Sequence, residues 1–426
     1  MIAALVLVVV LAALLGAPLF ALILAAAMVG FTVSEIELTV VAIEVYRIVD
    51  TPLLVALPLF TFAGYLLAEA RTSERLVALT QALVGGLPAG LAIVAFLVSA
   101  VFTALTGASG VTIVALGALL LPALVSAGYS ERFSLGLVTS SGSLGLLLLP
   151  SIPLILYGIV AQQLDVGEPF SIVDLFLAGL LPLLLMLGVL IGYTLWHHRG
   201  AALPTTTFSI GNLGGALWAA RWELPLPVIV LGGIYSGLFA VSEAAAVTAF
   251  YVFLAEVVFY REVSLQALPR IIRESMTMVG GILLILGAAL AFTNVLVDAE
   301  VPQQLFEWIR TYVTSKWMFL LLLNLLLLLL GAILDVFSAL VIMVPLLLPV
   351  AVEYGIDPVH LGIIFLANMQ IGYFTPPIGM NLFISSVRFR KPLLELYFAT
   401  WPFFLSLLVA LLVITYVPWL SLVFVR

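Results

Sequence analysis

Four short stretches set polar or conformationally permissive residues in the middle of apolar runs. They read T-G-A-S-G at 106–110, S-S-G-S-L-G-L-L-L-L-P-S-I-P at 140–153, A-I-L-D-V-F-S at 332–338 and N-M-Q-I-G-Y-F-T-P-P-I-G-M-N at 368–381. Pro150, Pro153, Pro376 and Pro377 lack an N–H and crowd the preceding turn, so a helix that contains them must open. Opening frees backbone carbonyls, which suit a hard cation such as Na⁺. The helix ends facing the gap present N–H groups and a positive dipole end, which suit a carboxylate. Thr106, Ser109, Ser141, Ser143, Ser338, Thr375 and Asn381 add neutral oxygens. Only Asp335 and Glu243 are carboxylates plainly inside apolar stretches, where a charge is costly and usually functional. Asp335 is expected either to bind a cation or to cap a helix. Glu243, in V-S-E-A-A-A, is open between a helix cap shared with Ser242 and a role in transport. None of the four stretches contains Lys or Arg, so an anion held there has to be neutralised by helix ends and bound cations. This chemistry is reversible binding, not covalent catalysis.

The elements that position these residues must lie in lipid. The 426 residues are 64% hydrophobic and only 9% charged, whereas soluble domains run near a quarter charged. A spanning helix takes about 20 apolar residues. Residues 2–30 are expected to form one long or broken span with Pro18 near its middle. Residues 32–50, with Glu35, Glu37, Glu44, Arg47 and Asp50 among apolar neighbours, read as an interfacial helix. Further spans are expected near 52–69, 133–163, 175–196, 224–241, 243–260, 275–297, 358–387 and 400–424. Residues 87–126 and 317–351 are too long for one span and have no charged loop to divide two. Each fits a re-entrant hairpin, whose non-helical tip is tolerated at membrane depth only where protein or a water-filled cavity surrounds it.

The distribution of basic residues agrees with that reading. With 71–75 on the cytoplasmic side and both hairpins re-entrant, the cytoplasmic loops collect Arg71, Arg75, Arg132, Arg199, Arg221, Arg261, Arg270, Arg273, Arg388, Arg390 and Lys391. The other face collects Asp165, Glu168, Asp174, Asp298, Glu300, Glu307, Glu353 and Asp357. A hairpin that crossed the membrane would scramble this segregation.

The interrupted regions also repeat. An offset of 227 residues carries Pro122 onto Pro349, Gly128 onto Gly355, Gly145 onto Gly372 and Pro150 onto Pro377, and L-L-L-P recurs at 119–122 and 346–349. The loop assignment gives the two copies opposite orientations. Inverted repeats with broken helices mark secondary transporters, with the site near the midplane where the copies meet. The fold class expected is therefore an all-α polytopic membrane protein. Its inverted repeats each hold one re-entrant helical hairpin and one broken helix.

Other chemistries are disfavoured. The chain has no cysteine, so thiolate ligands, cysteine nucleophiles and disulfides are out, and its three histidines and net charge of −7 argue against a multi-histidine metal centre or a nucleic-acid surface. No removable signal peptide is expected, because Met1 opens an apolar stretch without a basic leader. G-A-S-G at 107–110 resembles the nucleophile motif of rhomboid intramembrane proteases. That reaction needs a histidine beside the serine, and His197, His198 and His360 all fall at expected membrane edges.

Over nearly its whole length the sequence resembles the large membrane subunit of tripartite ATP-independent periplasmic (TRAP) transporters. The most specific pieces are G-Y-S-E-R-F-S-L-G-L-V-T-S-S-G-S-L-G-L-L-L-L-P-S-I-P at 128–153 and G-I-D-P-V-H-L-G-I-I-F-L-A-N-M-Q-I-G-Y-F-T-P-P-I-G-M-N-L-F at 355–383. The resemblance implies a scaffold and a mobile, elevator-type transport domain that imports an organic acid on the Na⁺ gradient. A soluble periplasmic solute-binding protein and a small membrane subunit are the implied partners, and the cytoplasmic (inner) membrane of a bacterium or archaeon the location. It implies scaffold helices in 1–75 and 171–300, transport halves in 76–170 and 301–390, and a C-terminal helix in 391–426. One Na⁺ site is expected from Thr106, Gly107, Ser109, Ser143, Gly145 and Pro150, and a second from Asp335, Ser338, Gly372, Thr375 and Pro376. The solute is expected at Thr106, Ser109, Ser141, Thr375 and Asn381. No cofactor is expected beyond the coupling ion. The rival reading is a stand-alone cation-coupled carrier that takes free solute. The first tip reads T-G-A where the family commonly has S-G-S, so Ala108 removes one hydroxyl.

Overall fold

The computed structural model describes residues 8–9, 11–13, 15–49, 51–200 and 209–426, and every regular element among them is helical. Most of residues 2–10 of the expected first span, and Asp50, lie outside the described residues. That span is broken: the chain turns at Leu15–Gly16, and α1 (Leu19–Val33) starts after Pro18. The interfacial segment holds α2 (Thr39–Val49), and α3 (Ala56–Glu69) continues a turn of 3₁₀ helix from Pro52 into one span.

Residues 72–84, expected to begin in a loop, form α4 (Thr72–Val84). It buries Thr72, Arg75 and Leu79 on one face, the spacing of an amphipathic helix. Its mixed polarity is why hydropathy does not mark it. Next come α5 (Gly90–Thr106) and α6 (Ser109–Ser126), the arms of the first hairpin, then α7 (Glu131–Ser141) and α8 (Ile152–Gln163). α7 and α8 meet at a bend of 43° around Pro150. α9 (Ile172–Ala178) and α10 (Leu180–His197) together make one span, and α11 (Ile210–Ala219) follows.

The span expected at 224–241 is corrected. Helix covers Pro225–Tyr235 only, eleven residues or about 16 Å of rise against about 30 Å of hydrocarbon. The Phe239 N–H bonds the Gly233 carbonyl at 3.0 Å, closing a turn that delivers the chain into α12 (Val241–Phe253). α13 (Leu268–Asp298) is the longest helix, at 31 residues. It packs along α1, α2 and α3, and α12 packs on α3.

The second half begins with the short amphipathic α14 (Val301–Tyr312). The second hairpin pairs α15 (Lys316–Ile333) with α16 (Val336–Glu353). α17 (Pro358–Gly372) and α18 (Met380–Phe389) flank the second break, and α19 (Leu393–Tyr416) ends the bundle.

Helix boundaries repeat at the offset of 227. Ser109–Ser126 maps onto Val336–Glu353 end to end, Thr106 onto Ile333 at the close of each first arm, and Glu131 onto Pro358 at the start of each broken helix. The matching starts have matching causes. Ser130 accepts from the Phe133 N–H at 3.2 Å and its counterpart Asp357 from the Val359 N–H at 2.7 Å, each satisfying a donor that the helix cannot.

Loops assigned to one face lie together. Arg75 pairs with Glu223, Glu256 at 3.2 Å and Glu262 at 2.7 Å, while Arg270 meets Glu69 at 2.6 Å. Toward the other assigned face Arg426 pairs with Glu168 and, at 2.6 Å, with Asp357.

Candidate functional site

The two hairpin tips converge on one cavity of about 320 Å³. The first tip lines it with Gly107 to Val111, the second with Asp335, Val336 and Phe337, and the breaks with Leu146 and Tyr373. Met278 of α13 and Met380 of α18 complete the wall. No Lys or Arg belongs to that lining.

The first tip turns in two residues. Gly107 has φ +69° and donates to the Thr103 carbonyl at 2.8 Å, a conformation that favours glycine. The Thr103 hydroxyl donates to the Gly142 carbonyl at 2.9 Å and lies 2.8 Å from the Thr112 hydroxyl. One buried side chain thus joins both arms of the hairpin to the end of α7. Thr106 donates backward to Phe102 at 2.8 Å. Ser109 is only 4% exposed, lines the cavity and makes no side-chain hydrogen bond among the described residues.

The second tip is organised by Asp335. Its Oδ1 accepts the Phe337 and Ser338 N–H groups, each at 3.0 Å, and its Oδ2 accepts the Ser338 hydroxyl. Of the two expectations for Asp335, helix capping is what the geometry shows, with one carboxylate lone pair left over. Ser338 is held to Asp335, and Thr375 donates to the Ile371 carbonyl at 2.8 Å. The Gly379 N–H donates to the Ala332 carbonyl at 2.9 Å, tying the second break to the second hairpin.

Between the breaks lies a fully buried polar cluster. Ser143 donates to the Gln370 carbonyl at 2.9 Å, and residue 370 is the repeat counterpart of residue 143. A residue that touches its own counterpart lies beside the axis relating the copies. Asn381 donates to Ser143 Oγ at 3.3 Å and to the Thr139 carbonyl at 3.2 Å, and its own amide oxygen has no partner among the described residues. Ser141 is also buried but donates to Ser99 at 3.1 Å, away from the cavity lining.

Gly145 and Gly372 make the matched close approach that holds each break to its hairpin. A Cβ on Gly145 would stand 2.4 Å from the Ala104 nitrogen, and one on Gly372 2.6 Å from the Gly331 carbonyl carbon; 104 and 331 are themselves counterparts. Pro150 is buried in the first break, whereas Pro376 is exposed in the second. Of the expected residues, then, Gly107, Ser109 and Asp335 face the cavity. Thr106, Ser143, Gly145, Pro150, Ser338, Gly372, Thr375, Pro376 and Asn381 hold the tips and breaks around it. Sequence reasoning missed Thr103, Leu146, Met278 and Tyr373. Their counterparts at the repeat offset differ in type, so the duplication did not mark them.

Glu243 is exposed and accepts the Ala240 N–H at 2.8 Å. It therefore caps α12, with Ala240 rather than Ser242 at the cap. The protease motif has no base: His197 and His198 pack on Phe133, and His360 bonds Ser421 and the Thr415 carbonyl.

Duplicated hairpins and broken helices around a buried polar centre define a polytopic membrane carrier. The sequence profile of the tripartite ATP-independent periplasmic transporter, DctM component, matches residues 5–420, and the chain belongs to that family. It is 36% identical to the C4-dicarboxylate TRAP transporter large permease protein DctM of Rhodobacter capsulatus, over 92% of this chain and 91% of that one. The ectoine/5-hydroxyectoine large permease UehC of Ruegeria pomeroyi is 30% identical over 96% and 95% of the two chains. Among solved structures, the YdaH transporter of Alcanivorax borkumensis shares the fold, with a TM-score of 0.60 at 16% identity over 88% of each chain. The protein is a multi-pass transporter permease subunit, not an enzyme.

Proposed function

We propose that this permease imports a small organic anion on a Na⁺ gradient across the cytoplasmic membrane of a bacterium or archaeon. A periplasmic binding protein hands over the solute, and a small membrane subunit completes the scaffold. The observation that carries the reading is the cavity shared by the two tips. Its volume suits a small solute, its walls carry helix N-termini, and it has no fixed cation. Na⁺ is the natural partner of such a cavity. Hydroxyl and carbonyl oxygens of Thr106, Gly107, Ser109, Ser143 and Gly145 at the first tip and break would take one ion. Asp335, Ser338, Gly372 and Thr375 would take a second, and the ions would supply the charge that the solute needs.

The depth of the tips favours an elevator-like displacement. Met278 lies ten residues into α13 from its assigned cytoplasmic end, about 15 Å along the axis and about 30 Å from the other end. Gly64, which touches the first tip, is five residues from the assigned cytoplasmic end of α3. The transport halves would therefore sit low against the scaffold, in an inward-facing position. Uptake of succinate by proteoliposomes holding this chain, its small subunit and its binding protein tests the reading. Uptake should stop without a Na⁺ gradient. Equal uptake on a pH gradient alone would overturn Na⁺ coupling, and uptake without the binding protein would favour the stand-alone carrier.

A further inference from the structure

The two tips open their second helices at matching positions, Ser109 and Val336, and are opposite in how the first amides of those helices are used. At the second tip every N–H of the opening turn of α16 is taken from within the protein. Val336 donates to the Tyr373 hydroxyl at 2.8 Å, and Phe337 and Ser338 donate to the Asp335 carboxylate at 3.0 Å each. The offset of 227 carries these three amides onto those of Ser109, Gly110 and Val111, which donate to nothing among the described residues. The reason lies in two counterparts. Where the second copy has Asp335 the first has Ala108, which cannot cap its helix. Where the second has Tyr373 the first has Leu146, which has no hydroxyl.

All three open amides belong to residues that line the shared cavity. A second observation points to a ligand there. Ser109, more than nine-tenths buried, lines the same cavity, and its hydroxyl has no hydrogen-bond partner among the described residues. Open amides at the head of an 18-residue helix form an anion seat, and the second tip shows what fills such a seat, a carboxylate.

We infer that the solute's carboxylate docks on the Ser109, Gly110 and Val111 amides and the Ser109 hydroxyl, while Asp335 is a built-in carboxylate that keeps the equivalent seat at the second tip closed. The inference rests on the transport reading above and deepens it. One carboxylate of the solute is read by the hairpins, always at the first tip, and the rest of the molecule faces Met278, Phe337 and Met380.

Hydrogen exchange followed by mass spectrometry on the intact transporter tests this without knowledge of the natural solute. Amides 109–111 should exchange about tenfold or more faster than amides 336–338, in line with the worth of a helix cap. Saturating succinate or acetate should slow the first set alone. Ala108→Asp should slow amides 109–111 with no ligand added and cut succinate uptake about tenfold or more, because a tethered carboxylate then fills the seat. Ala108→Val, with similar bulk and no acceptor, should leave amides 109–111 exchanging within about twofold of the parent. Asp335→Ala should open amides 337 and 338. Equal exchange at the two tips, no protection by either carboxylate, or undiminished uptake by Ala108→Asp would overturn the assignment. Loss of Na⁺-driven uptake in the parent protein, with the exchange contrast and carboxylate protection intact, would instead strike at the transport reading alone.

Discussion

Gly64 on α3 touches the first tip so closely that its single hydrogen decides whether the tip can seat. A Cβ placed there would lie 2.6 Å from the Thr106 Cα and 2.8 Å from the carbonyl oxygens of Leu105 and Thr106. Ordinary contact begins at 3.4 Å, so the tip or α3 must retreat by roughly 0.8 Å for Gly64→Ala. All three neighbours are backbone atoms, and no rotamer change relieves them. Overpacking of this kind costs about 1–3 kcal/mol, and a bias of that size between two states shifts their ratio by roughly 5- to 150-fold. If the tip must leave this seat during each cycle, Gly64→Ala disfavours the seated state. The maximal rate of Na⁺-driven uptake should then fall by a similar factor, while KM stays near its parent value or drops. The chain contains no cysteine, so Met278→Cys with Ala108→Cys makes a unique pair across the cavity. Cross-linking of that pair by a short bismaleimide should fall in parallel in the Gly64→Ala background. Gly192→Ala is the control, since nothing lies within 4 Å of its added methyl. Uptake and cross-linking in Gly64→Ala within about twofold of the parent would refute this account, because a relaxed contact could not carry a cost above about 0.4 kcal/mol.

Two further outcomes follow from side chains outside the cavity. Arg75→Met strips the shared cation from Glu223 and Glu256, whose side chains are 3% and 0% exposed. Uncompensated buried charge costs about 3–5 kcal/mol, so the apparent melting temperature in detergent should drop by several degrees, and an unchanged melting curve would show that the cluster is not structural. Glu243→Gln removes the charge of an exposed helix cap and keeps an acceptor for the Ala240 N–H, so uptake should stay within about twofold of the parent. Loss of uptake in a well-expressed Glu243→Gln protein would restore a transport role for that carboxylate.

The sequence by itself determined the membrane class, the duplication and both hairpins. These depend on local quantities, namely long apolar runs, prolines that cannot continue a helix and glycines recurring at a fixed offset. Asp335 stood out for the same reason, since a carboxylate in an apolar run must find donors, and it finds them at the head of its own helix. Weakly apolar or amphipathic elements such as α4, α11 and α14 were not legible, because each is shorter than a span and no apolar run of span length marks it. The eleven-residue helix at Pro225–Tyr235 read as a full span because hydropathy averages over the turn that ends it.

Tertiary structure alone decided which polar residues face the cavity. Ser109 and Ser141 are both serines beside a break, yet one lines the cavity and the other is spent on Ser99. That difference depends on which helix lies opposite, and the partners stand 42 residues apart in the case of Ser141. The contrast between the tips is likewise invisible in one dimension. The hydroxyl missing at Ala108 was legible, but neither Ala108 nor Leu146 signals an open helix end until the fold sets them against the positions of Asp335 and Tyr373, leaving three amides without partners among the described residues.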